Sequence, residues 1–201
     1  MEPAFLSKDY WNNRYEKNAT GWDIGKVSTP LKNYINQINN KSLSILIPGG
    51  GNGHEAIYLS ENGFTNISVV DISPFAMSSL KKIIEQKGLK NIHLICADFF
   101  ELRGEYDLIL EQTFFCALDP TLREDYIKKM TELLSEDGKL VGLLFNTDFK
   151  SSPPFGGKLS EYQEQFAEYF EIIKMEPCYN SIAPRSGNEL FFICKLKNNH
   201  P

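Results

Sequence analysis

The chain reads as an α/β protein with a mostly parallel sheet that ends in an antiparallel strand. Three observations predict this. From Leu43 onward, short apolar runs alternate with amphipathic stretches; the run ending at Asp71 is followed at once by a helix-start signal; and the last two apolar runs have only a Pro/Gly-containing loop between them. Runs without polar alternation suit strands covered on both faces, as in βαβ units, whereas a connection too short for a crossover helix suits an antiparallel pair.

Taken in order, residues 43–47 form the first strand candidate, stopped by Pro48 and a cluster of glycines. Residues 67–70 form the second, closed by Asp71. Ser73-Pro74 then reads as an N-cap with proline at the first helical position; Phe75, Leu80, Ile83 and Ile84 follow at helical spacing, and Gly88 stands at the stop. Residues 92–96 and 106–110 are the third and fourth strands. Asp119-Pro120 repeats the cap-and-proline start for a helix carrying Leu122, Tyr126, Met130, Leu133 and Leu134 on one face, and a turn over 135–138 leads into a fifth strand at 139–145. A last helix spans 162–170, and strands near 171–175 and 190–196 complete a seven-stranded sheet. Residues 1–40 are polar, aromatic and Asn-rich, which suits an arm laid over a single 1–201 domain.

Composition narrows the function classes. A chain of 201 residues can bury roughly 70% of its unfolded surface in one core. A net charge of −5, with no Lys/Arg block, argues against nucleic-acid or anionic-membrane surfaces and favours a small-molecule partner. The N-terminus has neither a basic start nor an apolar h-region, and no apolar run is long enough to span a bilayer. Cys96, Cys116, Cys178 and Cys194 lie far apart, so reduced thiols and a cytoplasmic location are expected, and His54, His93 and His200 have no metal-ligand spacing. A monomer is expected.

The chemistry-bearing residues fall at consecutive strand ends. Pro48-Gly49-Gly50-Gly51-Asn52-Gly53-His54 follows the first strand and opens a helix, so that Gly49, Gly51 and Gly53 let the backbone turn sharply and approach a ligand. Asp71, with Ile72 beside it, ends the second strand 20 residues after Gly51, where an acid accepts hydrogen bonds from adenosine ribose hydroxyls. Asp98 ends the third strand and is placed to accept from an adenine amino group, with Phe99 beside the ring. Ligands bind at this carboxyl edge, so the set carries more weight than any member; taken singly, each also fits a turn, a helix-capping acid or a loop residue.

Trp22-Asp23-Ile24-Gly25, the 48–53 loop, Asp71-Ile72-Ser73 and Phe114-Phe115-Cys116-Ala117-Leu118-Asp119-Pro120 together resemble the thiopurine S-methyltransferase family, with particular likeness to its plant thiol/halide branch. The resemblance runs from about Trp11 to Leu196. It implies a Rossmann-like class I methyltransferase that uses S-adenosyl-L-methionine and releases S-adenosyl-L-homocysteine. It also implies that Trp11, Tyr15 and Trp22 of the arm close over the cofactor as a lid, and that Gly49, Asp71, Asp98, Phe99 and Gln112 fall on cofactor-side positions. Tyr15 stands where the plant branch carries tryptophan, Gln112 where it carries tyrosine, and Gly50 where it carries cysteine. Ser151-Ser152-Pro153-Pro154-Phe155 replaces a Gly-Gly-Pro-Pro-aromatic segment, which leaves the substrate wall open.

Phe114, Phe115, Pro154 and Phe155 are expected to form an apolar acceptor pocket, and Arg185 either attracts an anionic acceptor or is a solvated loop residue. No Ser-His-Asp set and no general base stands out; His54 after the glycine loop reads more as a local backbone partner than as a catalyst. That absence suits a soft acceptor such as a thiol, thiopurine, hydrosulfide or halide, which needs positioning in a dry pocket rather than proton transfer. The alternatives are a small NAD(P)-dependent oxidoreductase, a silent adenosine-ligand sensor, and a methyltransferase acting on oxygen or nitrogen.

Overall fold

The computed structural model describes residues 4–197; Met1, Glu2, Pro3 and His200 lie outside them. Seven strands form one sheet: β1 (Ser44–Pro48), β2 (Asn66–Asp71), β3 (Ile92–Cys96), β4 (Tyr106–Gln112), β5 (Leu134–Phe145), β6 (Phe170–Pro177) and β7 (Glu189–Leu196), in the order β3-β2-β1-β4-β5-β7-β6. β1 to β5 run parallel, and β7 slots between β5 and β6 antiparallel to both. The order reverses at β1, where β2 lies on one side and β4 on the other; such a reversal opens a crevice at the carboxyl ends of an α/β sheet.

Period-two alternation sorts the strand residues onto two cores. Ile45 and Ile47 of β1, Ile67 and Val69 of β2, and Leu108 and Leu110 of β4 face α2 (Thr29–Ile35), α3 (His54–Glu61) and α4 (Pro74–Lys87). Leu46, Val70 and Ile109 face the opposite layer, with Tyr126, Ile127, Met130 and Leu133 of α5 (Arg123–Leu133) and Tyr162 and Phe166 of α6 (Leu159–Tyr169). Each fully buried aliphatic or aromatic side chain contributes about 1.5–3 kcal/mol, so both faces hold the sheet. In α4 the Ser73 hydroxyl accepts from the Ala76 N–H, Pro74 opens the first turn and Gly88 closes the helix at φ 66°.

Three local features differ from the sequence reading. Residues 135–138 are a bulge within β5 instead of a turn: Tyr106 pairs Leu134 and Leu108 pairs Lys139, so all four oppose Asp107, whose carboxylate accepts from the Ser135 hydroxyl. Asp119-Pro120 starts a 3₁₀ turn (Pro120–Leu122), and α5 begins only at Arg123. The arm contains a helix of its own, α1 (Lys8–Glu16), capped by Ser7. Among the described residues no helix is long and apolar enough to cross a membrane, and no group of three or more His, Cys, Asp or Glu could hold a metal ion.

Candidate active site

The site grows out of the loop between β1 and α3. Gly49, Gly51 and Gly53 all have positive φ (57°, 50° and 69°), and the Gly53 N–H closes the turn on the Gly50 carbonyl at 2.7 Å. All three positions are also closed to a side chain by close approach: a Cβ at Gly49 would overlap the Phe114 ring, one at Gly51 the Tyr15 hydroxyl, and one at Gly53 the Leu80 side chain. Gly51→Ala, which adds a strained backbone to that overlap, is expected to weaken S-adenosylhomocysteine binding at least tenfold by calorimetry; unchanged affinity would separate Tyr15 from the site.

Asp71 lies directly beneath this loop. Its carboxylate accepts the Gly51 N–H at 2.9 Å and the Ser73 N–H at 2.8 Å, tying the glycine loop to the start of α4. Burial raises its pKa, and the backbone donors of Ser73, Gly51 and Ile72 oppose that shift. Ile72 is half-buried. Asp98 is exposed at the end of β3 and caps the next 3₁₀ turn by accepting from the Phe100 N–H.

The arm crosses above the loop. Trp22 meets Trp11 and Tyr15 edge-to-face at 5.7 and 5.8 Å, and Arg14 stacks 5.2 Å over the Trp22 ring. Burial and the charge of Asp71 raise the Tyr15 pKa, keeping it a neutral hydroxyl. The Asp23 carboxylate accepts from the Gly25 N–H at 2.6 Å and from the Asn52 amide, and its Oδ1 lies 2.7 Å from His54 Nε2. Asn12 reaches α4, accepting from the Ser73 hydroxyl and the Phe75 N–H. Asp23 and Asn12 thus fasten the arm at the glycine loop and at the start of α4.

Between arm and loop lies a narrow cleft lined by Tyr15, Trp22, Gly49, Gly51, Gln112 and Arg185 among the residues expected at the site. Arg185 is 9% exposed, not a solvated loop residue: it donates to the Trp22 carbonyl at 2.7 Å and to Glu189 at 3.3 Å. The Gln112 amide oxygen accepts from the buried Ser28 hydroxyl at 2.8 Å. Trp11 backs onto Trp22, and Gly53 starts α3 outside the cleft.

The expected apolar wall divides between cleft edge and core. Phe114 wedges against Gly49, whereas Phe115 is 1% exposed and packs on Tyr126, Tyr162 and Phe166, on the α5/α6 side of the sheet. Phe99 is likewise buried, among Phe100, Phe114 and Tyr126, so its ring is committed to the core. Pro154 and Phe155 are half-buried; the Phe155 N–H bonds the Cys116 carbonyl at 2.7 Å, and Arg123 holds the Gly156 carbonyl at 2.7 Å. Sequence reasoning passed over Asp23, Lys26, Asn52, Glu55 and Thr113, which also line the cleft. The clue for Asp23 and Asn52 was polarity beside tryptophan and glycine, which by itself names no partner.

Against known proteins, residues 6–195 match the family described as thiopurine S-methyltransferase (TPMT). The chain belongs to this family. Thiocyanate methyltransferase 1 of Brassica oleracea is 31% identical over 93% of this chain and 84% of that protein. Human EEF1A lysine methyltransferase 2 is also 31% identical, over the same shares. Among solved structures, the Burkholderia thailandensis 1,6-didemethyltoxoflavin-N1-methyltransferase with bound S-adenosylhomocysteine superposes with a TM-score of 0.77, covering 96% of this chain and 88% of that one at 17% identity, which shows the fold. The family member described here is a methyltransferase enzyme of class I fold, and its methyl donor is S-adenosylmethionine.

The residues present fit that donor. The glycine loop is a cradle that a Cβ would fill, and Asp71, with about four acceptor positions, receives the Gly51 and Ser73 amides and the influence of the Ile72 amide, leaving capacity for a hydroxyl donor. Trp22 and Tyr15 present aromatic surface at the cleft, and such faces attract a cation by ~0.5–2 kcal/mol each.

Proposed function

We propose that this enzyme methylates a small, soft, anionic nucleophile in the cleft between the arm and the glycine loop: a thiolate, a thiopurine, hydrosulfide or a halide. The reading takes Gly49, Gly51, Asp71, Ile72 and Asp98 as the cofactor side, Gln112 as a contact to cofactor or acceptor, and Phe114, Phe155 and Arg185 as the acceptor side. Within the 1–40 arm, α2 packs in the core and the part before it is the lid, bearing Trp11, Tyr15 and Trp22. Arg185 carries it. A guanidinium drawn out of water to the cleft wall, with two of its five N–H donors engaged, favours an anion. Asp23 is held by Gly25, Asn52 and His54, burial raises the Glu55 pKa, and Arg185 is itself paired with Glu189, so the preference for an anion rests on the N–H donors of Arg185 that neither Trp22 nor Glu189 engages.

When bound, S-adenosylmethionine supplies an electrophilic methyl group on a sulfonium. The protein's part is to hold the acceptor in line and exclude water, which suits an acceptor that arrives ionised. Nε2 of His54 is engaged by Asp23, and burial keeps the Cys116 thiol protonated, so neither serves as a free base or nucleophile. A cytoplasmic, monomeric enzyme acting on a diffusible metabolite completes the reading.

The test is an acceptor panel scored by S-adenosylhomocysteine release, followed by pH profiles. At subsaturating thiol, the rate should rise about tenfold per pH unit below the thiol's own pKa, then level off; a more acidic thiol should shift the whole profile down. With iodide the profile should be flat while the protein stays folded, and His54→Ala should change neither shape. A pH limb common to all acceptors and lost in His54→Ala would install an enzymic base. Lining of the cleft by Glu55 and Asp23, together with the likeness to a lysine methyltransferase, supports a second reading with an amine acceptor. Turnover of amines alone would select it.

A further inference from the structure

A glutamate sits inside the apolar strand β4. Glu111 is 0% exposed, one residue before Gln112 of the cleft, and its carboxylate reaches forward along the chain to Phe114, Phe115 and Tyr126. One oxygen, Oε1, accepts the Phe114 N–H at 2.8 Å and the Phe115 N–H at 3.0 Å; the other, Oε2, accepts the Tyr126 hydroxyl at 2.7 Å. Between these anchors the chain reverses through Thr113 at φ 60°, a left-handed conformation that a β-branched residue adopts only when surroundings impose it. The reversal presents Gln112 and Thr113 to the cleft and brings the Phe114 ring against Gly49.

We propose that Glu111 is a positioning residue for the methyl acceptor: its Oε1 staples the 112–115 reversal and so sets the wall against which the acceptor rests. This rests on the assignment of the acceptor to that cleft. The staple does not depend on the charge of the carboxyl. Both amide donors share Oε1, so a proton on Oε2 leaves them untouched and merely reverses the bond with Tyr126, whose hydroxyl then accepts. That tolerance has a use, because burial pushes the Glu111 carboxyl up to about 7 in spite of its three donors. The titratable groups around it are Tyr126 on α5 and the buried Cys116 thiol, itself under the influence of Arg185 and Arg123. Burial keeps Tyr126 and Cys116 protonated, so neither competes for the proton. Glutamine reproduces the three hydrogen bonds of the protonated form, with Oε1 accepting from the amides and Nε2 donating to Tyr126.

The experiment compares wild type, Glu111→Gln and Glu111→Leu by steady-state kinetics with the best acceptor of the panel, by calorimetry with S-adenosylhomocysteine, and by amide hydrogen exchange. Glu111→Gln should hold acceptor KM and kcat within threefold. Glu111→Leu should raise acceptor KM at least tenfold, with cofactor Kd changed less than threefold, since Asp71 and Gly51 keep their own bonds. In wild type and Glu111→Gln, the Phe114 and Phe115 amides should be protected at least a hundredfold. An unchanged acceptor KM in Glu111→Leu overturns the proposal, and so does an equal loss in acceptor and cofactor binding. If Glu111→Leu does not fold, the exchange data decide: fast exchange at both amides in the folded wild type overturns the staple, and protection kept in Glu111→Gln supports it. Should no thiol or halide be methylated while the amides stay protected, the acceptor assignment fails and the staple stands.

Discussion

Deleting residues 1–26 is expected to cut S-adenosylmethionine affinity by at least a hundredfold while the domain remains folded. The truncation removes Tyr15, Trp22 and Asp23 from the cleft but spares Val27 and Ser28, which pack against the core and Gln112. Two aromatic faces at ~0.5–2 kcal/mol each for a cation account for ~1–4 kcal/mol, and loss of enclosure adds to it. Because the product lacks the sulfonium charge, its affinity should fall less, by a margin of fivefold or more. Trp11 and Trp22 are the chain's only tryptophans, so in the intact protein ligand binding should change an emission that comes wholly from the arm. Equal affinity of the truncated and full chains, measured by calorimetry, would show that the arm is no lid.

Asp71→Ala should be nearly as damaging, through two separable losses. Removing the carboxylate orphans the Gly51 and Ser73 amides, and buried unpaired donors cost about 1–3 kcal/mol each, so thermal stability should drop. Ribose hydroxyls also lose a charged acceptor, at ~1.5 kcal/mol each, so affinity should fall at least tenfold and toward a hundredfold. A cycle with the 2′-deoxy analogue of S-adenosylhomocysteine separates the two. The analogue should bind wild type about tenfold more weakly than its parent, yet bind Asp71→Ala no more weakly than the parent does. An analogue penalty that survives the substitution would place the hydroxyl elsewhere.

The fold was legible where local signals agreed with the tertiary outcome. Ser73-Pro74 and Gly88 bracket α4 because capping is decided within a turn, and the apolar runs became strands because both faces of this sheet are covered. Residues 135–138 misled because Ser-Glu-Asp-Gly has turn composition, while pairing of Tyr106 with Leu134 holds the segment as a bulge in the sheet. In the proposed site, the glycines were legible because positive φ favours that residue type, and Asp71 because an acid stands out at the end of an apolar strand. Phe114 and Phe115 are adjacent in sequence and alike in type, and only tertiary packing separates them: Phe115 is enclosed by Tyr126, Tyr162 and Phe166, whereas Phe114 reaches Gly49. Asp23 and Arg185 acquire meaning through His54, Asn52, Glu189 and a backbone carbonyl at Trp22, none of which spacing reveals. Glu111 had a signal that went unread: a charged residue in the run Leu-Ile-Leu-Glu-Gln has to be paired if the run is a buried strand.

The bond from Arg185 to the Trp22 carbonyl joins residues 163 positions apart. On a ribosome the arm is made before the partners that hold it, at roughly 5–20 residues per second. Its partners arrive in sequence: Asn52 and His54 soon after, Ser73 next, and Arg185 long after all of them. Arg185 in turn depends on Glu189 at the head of β7, the strand inserted between β5 and β6. A nascent chain therefore carries a tryptophan-bearing arm without its full dock until β7 has slotted between β5 and β6, so the cleft closes only after all seven strands of the sheet are made.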